Sequence, residues 1–297
     1  MTLTSSRFKR GIVDGATGVW SGLSFLAGRV GGWKPALWHS PGGQRVLVIA
    51  PHPDDELGCG GTLLLHERAG DEVHVVYVTD GRGSGAYGLG PDEMAKRRRK
   101  EAAAVTPMLR LAGMHWLGLR EYEWEESALV PVLQDMLRQT TPQIVYAPSR
   151  IDFHPEHVRV GRCLAQAIAG PGLHDMTVRV YQIQVPLMPV LANVIAPMQA
   201  VVPELVGAME CYRTQLGSIK RFLRMKRYGA SFYGLAGLAE EFWQIDRRAY
   251  GRLHAAHEGD RADEAFRGVR YLPFTDPLAY LRGLGARRRL RELSTSP

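Results

Sequence analysis

The residues with the clearest chemical potential lie between Pro51 and Glu56, directly after an apolar run from Val46 to Ala50. This segment reads Pro-His-Pro-Asp-Asp-Glu, so it places an imidazole and three carboxylates at the end of a predicted buried strand. Histidine nitrogen and aspartate oxygen are ordinary zinc ligands. Because neighbouring carboxylates repel each other unless a positive charge lies among them, a divalent cation bound by His52 and Asp55 is one interpretation. The other is that these acids cap the next helix.

A second chemical group, formed by His154 and His157, follows another apolar run at residues 143–147. A single His-x-x-His pair is a weak signal, but here it falls at a second strand end. The carboxyl ends of neighbouring parallel strands form the binding edge of such sheets. We therefore expect His52, Asp55 and His157 to form a site with two histidines, one carboxylate and an open position, as catalytic metals require.

The elements that must position these residues alternate along the chain from residue 44. Strands are predicted at residues 46–50, 72–79, 115–119, 143–147 and 178–185, and helices at 62–66, 91–112, 127–139 and 157–169. Strands separated by helices are typical of an α/β fold with a mostly parallel sheet and right-handed crossovers. The glycine-rich segment 80–90 is predicted to be a loop at the same sheet edge as the histidines.

The composition limits the class of protein and its partners. A chain of 297 residues suffices for one large α/β domain or two small ones. Its three cysteines cannot form a disulfide framework, which favours a reducing, cytoplasmic compartment. The net charge of +7 and the pI near 9.4 favour anionic partners. Basic residues are not interleaved with aromatic ones, so nothing supports nucleic-acid binding.

The two ends of the chain are the least informative parts. The apolar run within residues 1–43 is too short to span a membrane, which takes about 20 mostly apolar residues. We interpret it as a segment that packs on the domain or lies on a membrane surface, with packing favoured. The arginine-rich stretch at 286–292 is interpreted as a solvated basic tail, with contact to an anionic membrane or a phosphate-bearing substrate left open.

The two motifs resemble those of the PIG-L/LmbE-like family of metal-dependent N-deacetylases. The resemblance rests on Pro-His-Pro-Asp-Asp-Glu and on His-Pro-Glu-His about 100 residues later, with support from Thr79-Asp80-Gly81 and Arg98-x-x-Glu101. It covers residues 44–245. It implies a Rossmann-like fold in a single domain, with an N-terminal extension at 1–43 and a C-terminal extension at 246–297 that packs on the domain.

The resemblance also implies a role for each site residue. The metal, zinc or alternatively iron or another divalent ion, would be held by His52, Asp55 and His157. Asp54 matches the general base of the family, and His154 matches the residue that stabilises the oxyanion or donates a proton. Arg98 falls where the family often contacts the substrate sugar.

Three further acids lie in or near the motifs and could influence the site. Asp152 is a candidate partner that raises the pKa of His154, with a loop cap as the alternative. Glu156 stands where the family more often has aspartate, so it is expected to alter the orientation of a neighbouring histidine. Glu121 also replaces a frequent aspartate, which affects the expected contacts to sugar hydroxyls.

The sequence therefore predicts a hydrolase that removes the N-acetyl group of an N-acetylglucosamine-type substrate with a metal-activated water. Hydrolysis of a phosphate ester and a catalytically idle sugar-binding module are the alternatives. A dinucleotide fingerprint is excluded, because its third glycine would fall at Leu63. A free glycoside, a lipid-linked sugar and a phosphate-linked sugar all remain open as substrates, and so does homo-oligomer formation. The basic charge, with the apolar stretch at 185–206, favours an anionic or lipid-linked group on the sugar.

Overall fold

The structure is a computed structural model that describes residues 3–152, 154–255 and 283–295, without the side chains of residues 3–14 and 217–221. The strands are β1 (Ala36–Leu37), β2 (Arg45–Ala50), β3 (Glu72–Thr79), β4 (Gly113–Leu119), β5 (Ile144–Pro148), β6 (Thr177–Tyr181), β7 (Val194–Pro197) and β8 (Ala239–Asp246). The helices are α1 (Leu3–Gly31), α2 (Gly60–Arg68), α3 (Pro91–Met108), α4 (Glu126–Thr140), α5 (Pro155–Ile168), α6 (Val202–Cys211), α7 (Leu216–Phe232), α8 (Arg247–Ala255) and α9 (Leu284–Thr295).

The strands form one sheet in the order β1-β7-β8-β6-β5-β2-β3-β4. The pairs from β6 through β4 are parallel, as is β1 with β7, whereas β8 runs antiparallel to both of its neighbours. The central strands consist of continuous apolar runs because helices cover both faces of the sheet. The predicted α/β fold with a mostly parallel sheet flanked by helices is confirmed.

The position of β2 in the middle of the five neighbouring parallel strands assembles the site. It pairs with β5 on one side and with β3 on the other, all parallel. The loops that follow these three strands, and the loop that follows β4, therefore leave the sheet at one edge. This topology brings the His-Pro-Asp-Asp motif and the His-Pro-Glu-His motif together although about 100 residues separate them.

The glycine-rich turn before α2 is held by a buried ion pair from the C-terminal half of the chain. Glu240 accepts hydrogen bonds from the backbone amides of Gly61 (3.0 Å) and Thr62 (2.7 Å), and Lys226 donates to Glu240 and to the Gly58 carbonyl (2.9 Å). A carboxylate at a helix N-terminus satisfies amides that lack partners within the helix. The amides that a nucleotide phosphate would need are thus already used, in agreement with the missing third glycine.

Two predicted elements end earlier than the sequence pattern indicated. The strand predicted at 178–185 stops at Tyr181, because the amide of Gln184 donates to the side chain of Asp152 (3.3 Å) and not to a neighbouring strand. The helix predicted at 91–112 ends at Met108, and Arg110 lies in the left-handed region at φ 51°. The side-chain hydrogen bond and the left-handed residue are both features that hydrophobic periodicity does not register.

The segments left open at the ends of the sequence are helical where they are described. α1 packs on α7, and α8 packs on α5. In α9, Arg287 is fully buried and donates to the Pro186 carbonyl, so the interpretation of a solvated tail is wrong for this residue. Most of the apolar stretch from Val185 to Ala192 is buried core. No described helix is both long and apolar enough to cross a membrane.

Glu241 on β8 leads to a prediction about stability and pH. It is 1% exposed, and burial raises its pKa from 4.5 to about 8. Between these values the unfolded chain releases a proton that the folded protein retains, so stability falls as pH rises, by up to about 1.4 kcal/mol per unit. Glu241→Gln should therefore raise the melting temperature near pH 8 and much less near pH 5. The exposed Glu123→Gln serves as the control, and an equal gain at both pH values would contradict the explanation.

Candidate metal centre and active site

The loop after β2 is held in an unusual backbone conformation. Asp54 has φ 107°, a left-handed value that is uncommon outside glycine, and Asp55 then opens a short 3-10 turn. The amide of His52 donates to Asp55 Oδ2 (2.8 Å), which fixes the carboxylate back across the loop. Because Pro51 and Pro53 also limit the backbone, the loop holds its imidazole and two carboxylates in fixed directions.

Three of the predicted ligands form a compact triangle. His52 Nδ1 lies 3.1 Å from His157 Nε2, and Asp55 Oδ2 lies 3.2 Å from each of these nitrogens. All three side chains are buried. A tetrahedral ion with ligand bonds of about 2.0–2.1 Å would separate its ligand atoms by roughly 3.3 Å. The donor set and its spacing therefore fit a divalent metal ion.

Each ligand histidine has a carboxylate beside its other ring nitrogen. Glu121 Oε1 lies 3.1 Å from His52 Nε2, and Asp152 Oδ2 lies 3.1 Å from His157 Nδ1. Such carboxylates fix the tautomer and the orientation of a metal-binding imidazole and make it a better ligand. With protons on the outer nitrogens, the lone pairs of both rings are directed into the triangle.

The charges around the triangle are those expected of a site that holds a cation. Burial lowers the pKa of His157, but Asp55 and Asp152 outweigh this effect and raise it well above its ordinary value. Burial raises the pKa of Asp55, but the two histidines reverse this effect and lower it. Three acids and two imidazoles thus share a small buried volume, an arrangement that a dication would stabilise.

His154 is beside the triangle and has a different environment. One of its ring nitrogens lies within 4.8 Å of those of His52 and His157, so a set of three histidines is also geometrically available. We favour the set with Asp55, because its edges are 3.1–3.2 Å. His154 also caps α5, where its Nδ1 accepts the amide of Glu156 (3.3 Å). The proton of a neutral His154 is therefore on Nε2.

The charge of Asp152 raises the pKa of His154, as predicted, but other effects outweigh it. Burial, followed by repulsion from His157 and His52, lowers the pKa of His154 to about 4. Asp152 Oδ2 contacts His157, and Asp152 Oδ1 only accepts the backbone amide of His154 (3.1 Å). The sequence could not separate these options, because both histidines lie within five residues of the acid. His154 is therefore neutral near pH 7, and it is an Nε2–H donor in that state.

Glu156 does not direct its carboxylate at a histidine ring. The carboxylate accepts hydrogen bonds from the Trp124 indole and from Arg159 (2.9 Å), and it is fully buried. It ties the start of α5 to the segment before α4. Its only direct link to His154 is its own backbone amide. The structure thus gives Glu156 a role in holding this loop in place.

Asp54 and Arg98 form a pair at the rim of the site. The Asp54 side chain is 23% exposed, and Arg98 donates to its Oδ1 (2.9 Å). Arg98 is 3% exposed and also donates to the Pro53 carbonyl and to Thr214 (3.4 Å). Burial raises the pKa of Asp54, and Arg98 opposes this effect. The guanidinium of Arg98 thus forms hydrogen bonds with the loop after β2. A contact between Arg98 and a substrate sugar stays a prediction.

At the carboxyl edge of β4, sequence reasoning did not predict that Glu121 contacts His52, and it did not identify Tyr122. Glu121 was assigned to sugar contacts, but it is buried beside His52 and accepts the amide of Gly83 (2.7 Å). Tyr122 is 56% exposed at φ 66°, and its hydroxyl lies 3.4 Å from His154 Nε2. An acid followed by an aromatic residue directly after a strand at this edge was the available signal.

Comparison with known families agrees with this arrangement. Residues 47–168 match the family model described as PIG-L: GlcNAc-PI de-N-acetylase, a range that runs from β2 to the end of α5. The probable N-acetyl-alpha-D-glucosaminyl L-malate deacetylase 2 of Bacillus anthracis is 29% identical over 136 residues. That alignment covers 42% of this chain and 60% of the relative, so the chain spans about three fifths of the relative's length.

Solved structures share the fold at lower identity. The N,N'-diacetylchitobiose deacetylase of Pyrococcus horikoshii, complexed with its inhibitor MPG, has a TM-score of 0.62 at 23% identity and covers 70% of this chain and 85% of its own. GalB, the 4-carboxy-2-hydroxymuconate hydratase of Pseudomonas putida KT2440, has a TM-score of 0.58 at 18% identity and covers 67% and 95%. One fold thus carries two chemistries. Residues 47–168 of this chain are thus similar in sequence to the PIG-L family, and the chain shares its fold with these solved structures.

Proposed function

We propose that this protein is a metal-dependent deacetylase that hydrolyses the N-acetyl group of an N-acetylglucosamine-type substrate. The observation that carries the proposal is the triangle of His52, Asp55 and His157, in which each imidazole has a carboxylate on its outer nitrogen. A purely structural histidine cluster has no need for two orienting carboxylates and an inward set of lone pairs. Catalytic metal sites with three protein ligands have this composition.

The metal would be zinc in the first instance, with ferrous iron as the alternative, because two imidazoles and one carboxylate suit both ions. Such an ion lowers the pKa of water and polarises an amide carbonyl. His52, Asp55 and His157 would hold it, and Glu121 and Asp152 would keep the two rings oriented.

Asp54 is the proposed general base. It adjoins the ligand Asp55, its carboxylate is partly exposed, and Arg98 restricts its orientation. Water oxygen attacks the amide carbonyl carbon while Asp54 accepts the proton, and Asp54 then returns this proton to the nitrogen as the C–N bond breaks. The products are acetate and a free amine. Arg98 is accordingly a positioning residue.

His154 is the proposed donor to the carbonyl oxygen. As negative charge develops on this oxygen, the Nε2–H of a neutral His154 can donate a hydrogen bond without a prior protonation step. The Glu156 amide on Nδ1 supports this tautomer. The Tyr122 hydroxyl, 3.4 Å from Nε2, limits where the ring can turn.

The substrate class rests on the relatives. The Bacillus protein is named for an N-acetyl-glucosaminyl malate and the Pyrococcus protein for N,N'-diacetylchitobiose, so both names specify N-acetylated sugar compounds. The net charge of +7 favours a sugar that carries an anionic group, in a phosphate- or lipid-linked form.

Acetate release from a panel of compounds tests this proposal. The purified protein, loaded with zinc or with iron, is given free N-acetylglucosamine, a glycoside and a phosphate-linked form, each at low and high ionic strength. We expect acetate from at least one compound, with the phosphate-linked one preferred at low salt. Release of phosphate from simple phosphate esters without acetate would favour the phosphoesterase. Sugar binding without turnover in either metal form would favour the idle module.

A further inference from the structure

Helix α1 has its apolar residues on the outside. Val19, Leu23, Leu26 and Val30 are 64%, 47%, 59% and 90% exposed. Their spacing of four, three and four residues places them on one face of the helix. A surface helix of a globular protein ordinarily buries such a face, and a contiguous exposed apolar patch marks an interaction surface.

The opposite face of α1 explains this orientation. Thr17, Ser24 and Gly28 are buried, and α1 packs on α7. At 100° per residue, this set is centred roughly 150° from the apolar one. A Cβ atom at Gly28 would lie 1.7 Å from the Phe232 carbonyl oxygen, so the close approach of the two helices requires glycine. The small residues and the partly buried Trp20 pack against the domain, and this leaves Val19, Leu23, Leu26 and Val30 exposed.

The chain segment that carries this face is basic in sequence. Asp14 is the single acid among residues 1–53, against the bases at 7, 9, 10, 29, 34 and 45. Trp33, just beyond the end of α1, lines a groove with Arg288, Arg291 and Glu292 of α9. Arg288, Arg289 and Arg291 are all exposed. Exposed arginines of α9 therefore lie beside the C-terminal end of α1, three residues beyond the last residue of the apolar stripe.

We propose that this surface binds the headgroup region of an anionic lipid bilayer, with α1 lying in the plane of the membrane. An interfacial helix buries its apolar side at the boundary of the acyl chains while basic groups contact anionic lipids, and tryptophan is enriched at this depth. A second copy of the chain would also cover the stripe. However, two identical basic faces repel each other, whereas an anionic bilayer attracts them. The charge therefore decides for the membrane.

Vesicle flotation of the full chain tests this proposal. Vesicles of phosphatidylcholine with a minor fraction of phosphatidylglycerol should carry the protein, and vesicles of phosphatidylcholine alone should carry much less. Added salt should weaken the binding. Leu23→Glu/Leu26→Glu should reduce it by at least about tenfold. Arg288→Gln/Arg289→Gln should weaken the preference for phosphatidylglycerol and leave the apolar stripe intact.

The matched control is Met108→Glu/Val132→Glu. It adds the same charge at two apolar residues on α3 and α4, each 40% exposed. Both Leu23→Glu/Leu26→Glu and this control should keep the wild-type melting temperature and acetate release from a water-soluble substrate. The test is therefore independent of the proposed function. Equal loss of flotation in both, or absence of flotation in the wild type, would overturn the proposal. A dimer in sedimentation velocity that only the α1 variant dissociates, without vesicle binding, would assign the surface to a second copy.

Discussion

Replacing His157 with alanine should remove most of the bound metal and reduce turnover by roughly 10³-fold or more. The wild type should contain about one divalent ion per chain, because the triangle of His52, Asp55 and His157 would hold one ion. His157 supplies one corner of the triangle and links the triangle to Asp152. Its loss leaves two ligands, and the several kcal/mol of transition-state stabilisation that a metal provides are lost with it.

Metal analysis after dialysis and acetate release under saturating substrate would check this expectation together. His174→Ala is the matched control, since it removes an exposed histidine from the loop before β6. It should leave metal content and activity unchanged. Full metal occupancy in His157→Ala would show that this triangle is not the metal site, and occupancy lost only on replacing His154 would favour the set of three histidines.

Asp54→Asn should keep the metal and lose the chemistry. The change preserves shape and leaves all three proposed ligands in place, but an amide cannot accept a proton from water. General acid–base catalysis contributes about 10²–10⁴-fold, so the turnover number should fall within that range while metal content stays near that of the wild type. The exposed Asp135→Asn provides the control for removing one negative charge.

A second variant separates the base from its positioning residue. Arg98→Lys keeps a positive charge beside Asp54 but loses the planar guanidinium that also donates to the Pro53 carbonyl. If Arg98 acts through Asp54, Arg98→Lys should lower the turnover number with little change in KM. Near-normal turnover in Asp54→Asn would instead show that another group, with Glu56 and Asp152 as candidates, is the base.

The sequence predicted the sheet and the proximity of His52, Asp55 and His157 because both depend on strong, local signals. The apolar runs of β2 and β5 mark buried parallel strands, and a motif at the end of each then falls at one edge. The orienting roles of Glu121 and Asp152 were not predictable in the same way. Each role depends on the orientation of a histidine ring, and a shift of one residue in a loop would change which acid lies beside that ring.

Which face of α1 is exposed could also not be predicted from the sequence. Its periodicity showed an amphipathic segment, and such a pattern ordinarily indicates packing through the apolar side. Which side packs is decided by the small residues that allow close approach to α7, with Gly28 against Phe232. That contact joins segments about 200 residues apart, so no local pattern contains it.

The capping of α2 by Glu240 sets a lower limit on the size of the folding unit. The range that matches the family ends at residue 168, whereas the carboxylate that holds the start of α2 lies on β8 and is paired with Lys226 on α7. A fragment cut after α5 would retain every proposed metal ligand and yet leave the amides of Gly61 and Thr62 without this partner. During synthesis, the turn that follows the metal-binding loop therefore reaches its final state only after β8 has emerged from the ribosome. Residues 47–168 are therefore not a complete folding unit, because a strand that follows them in the chain supplies the carboxylate that caps α2.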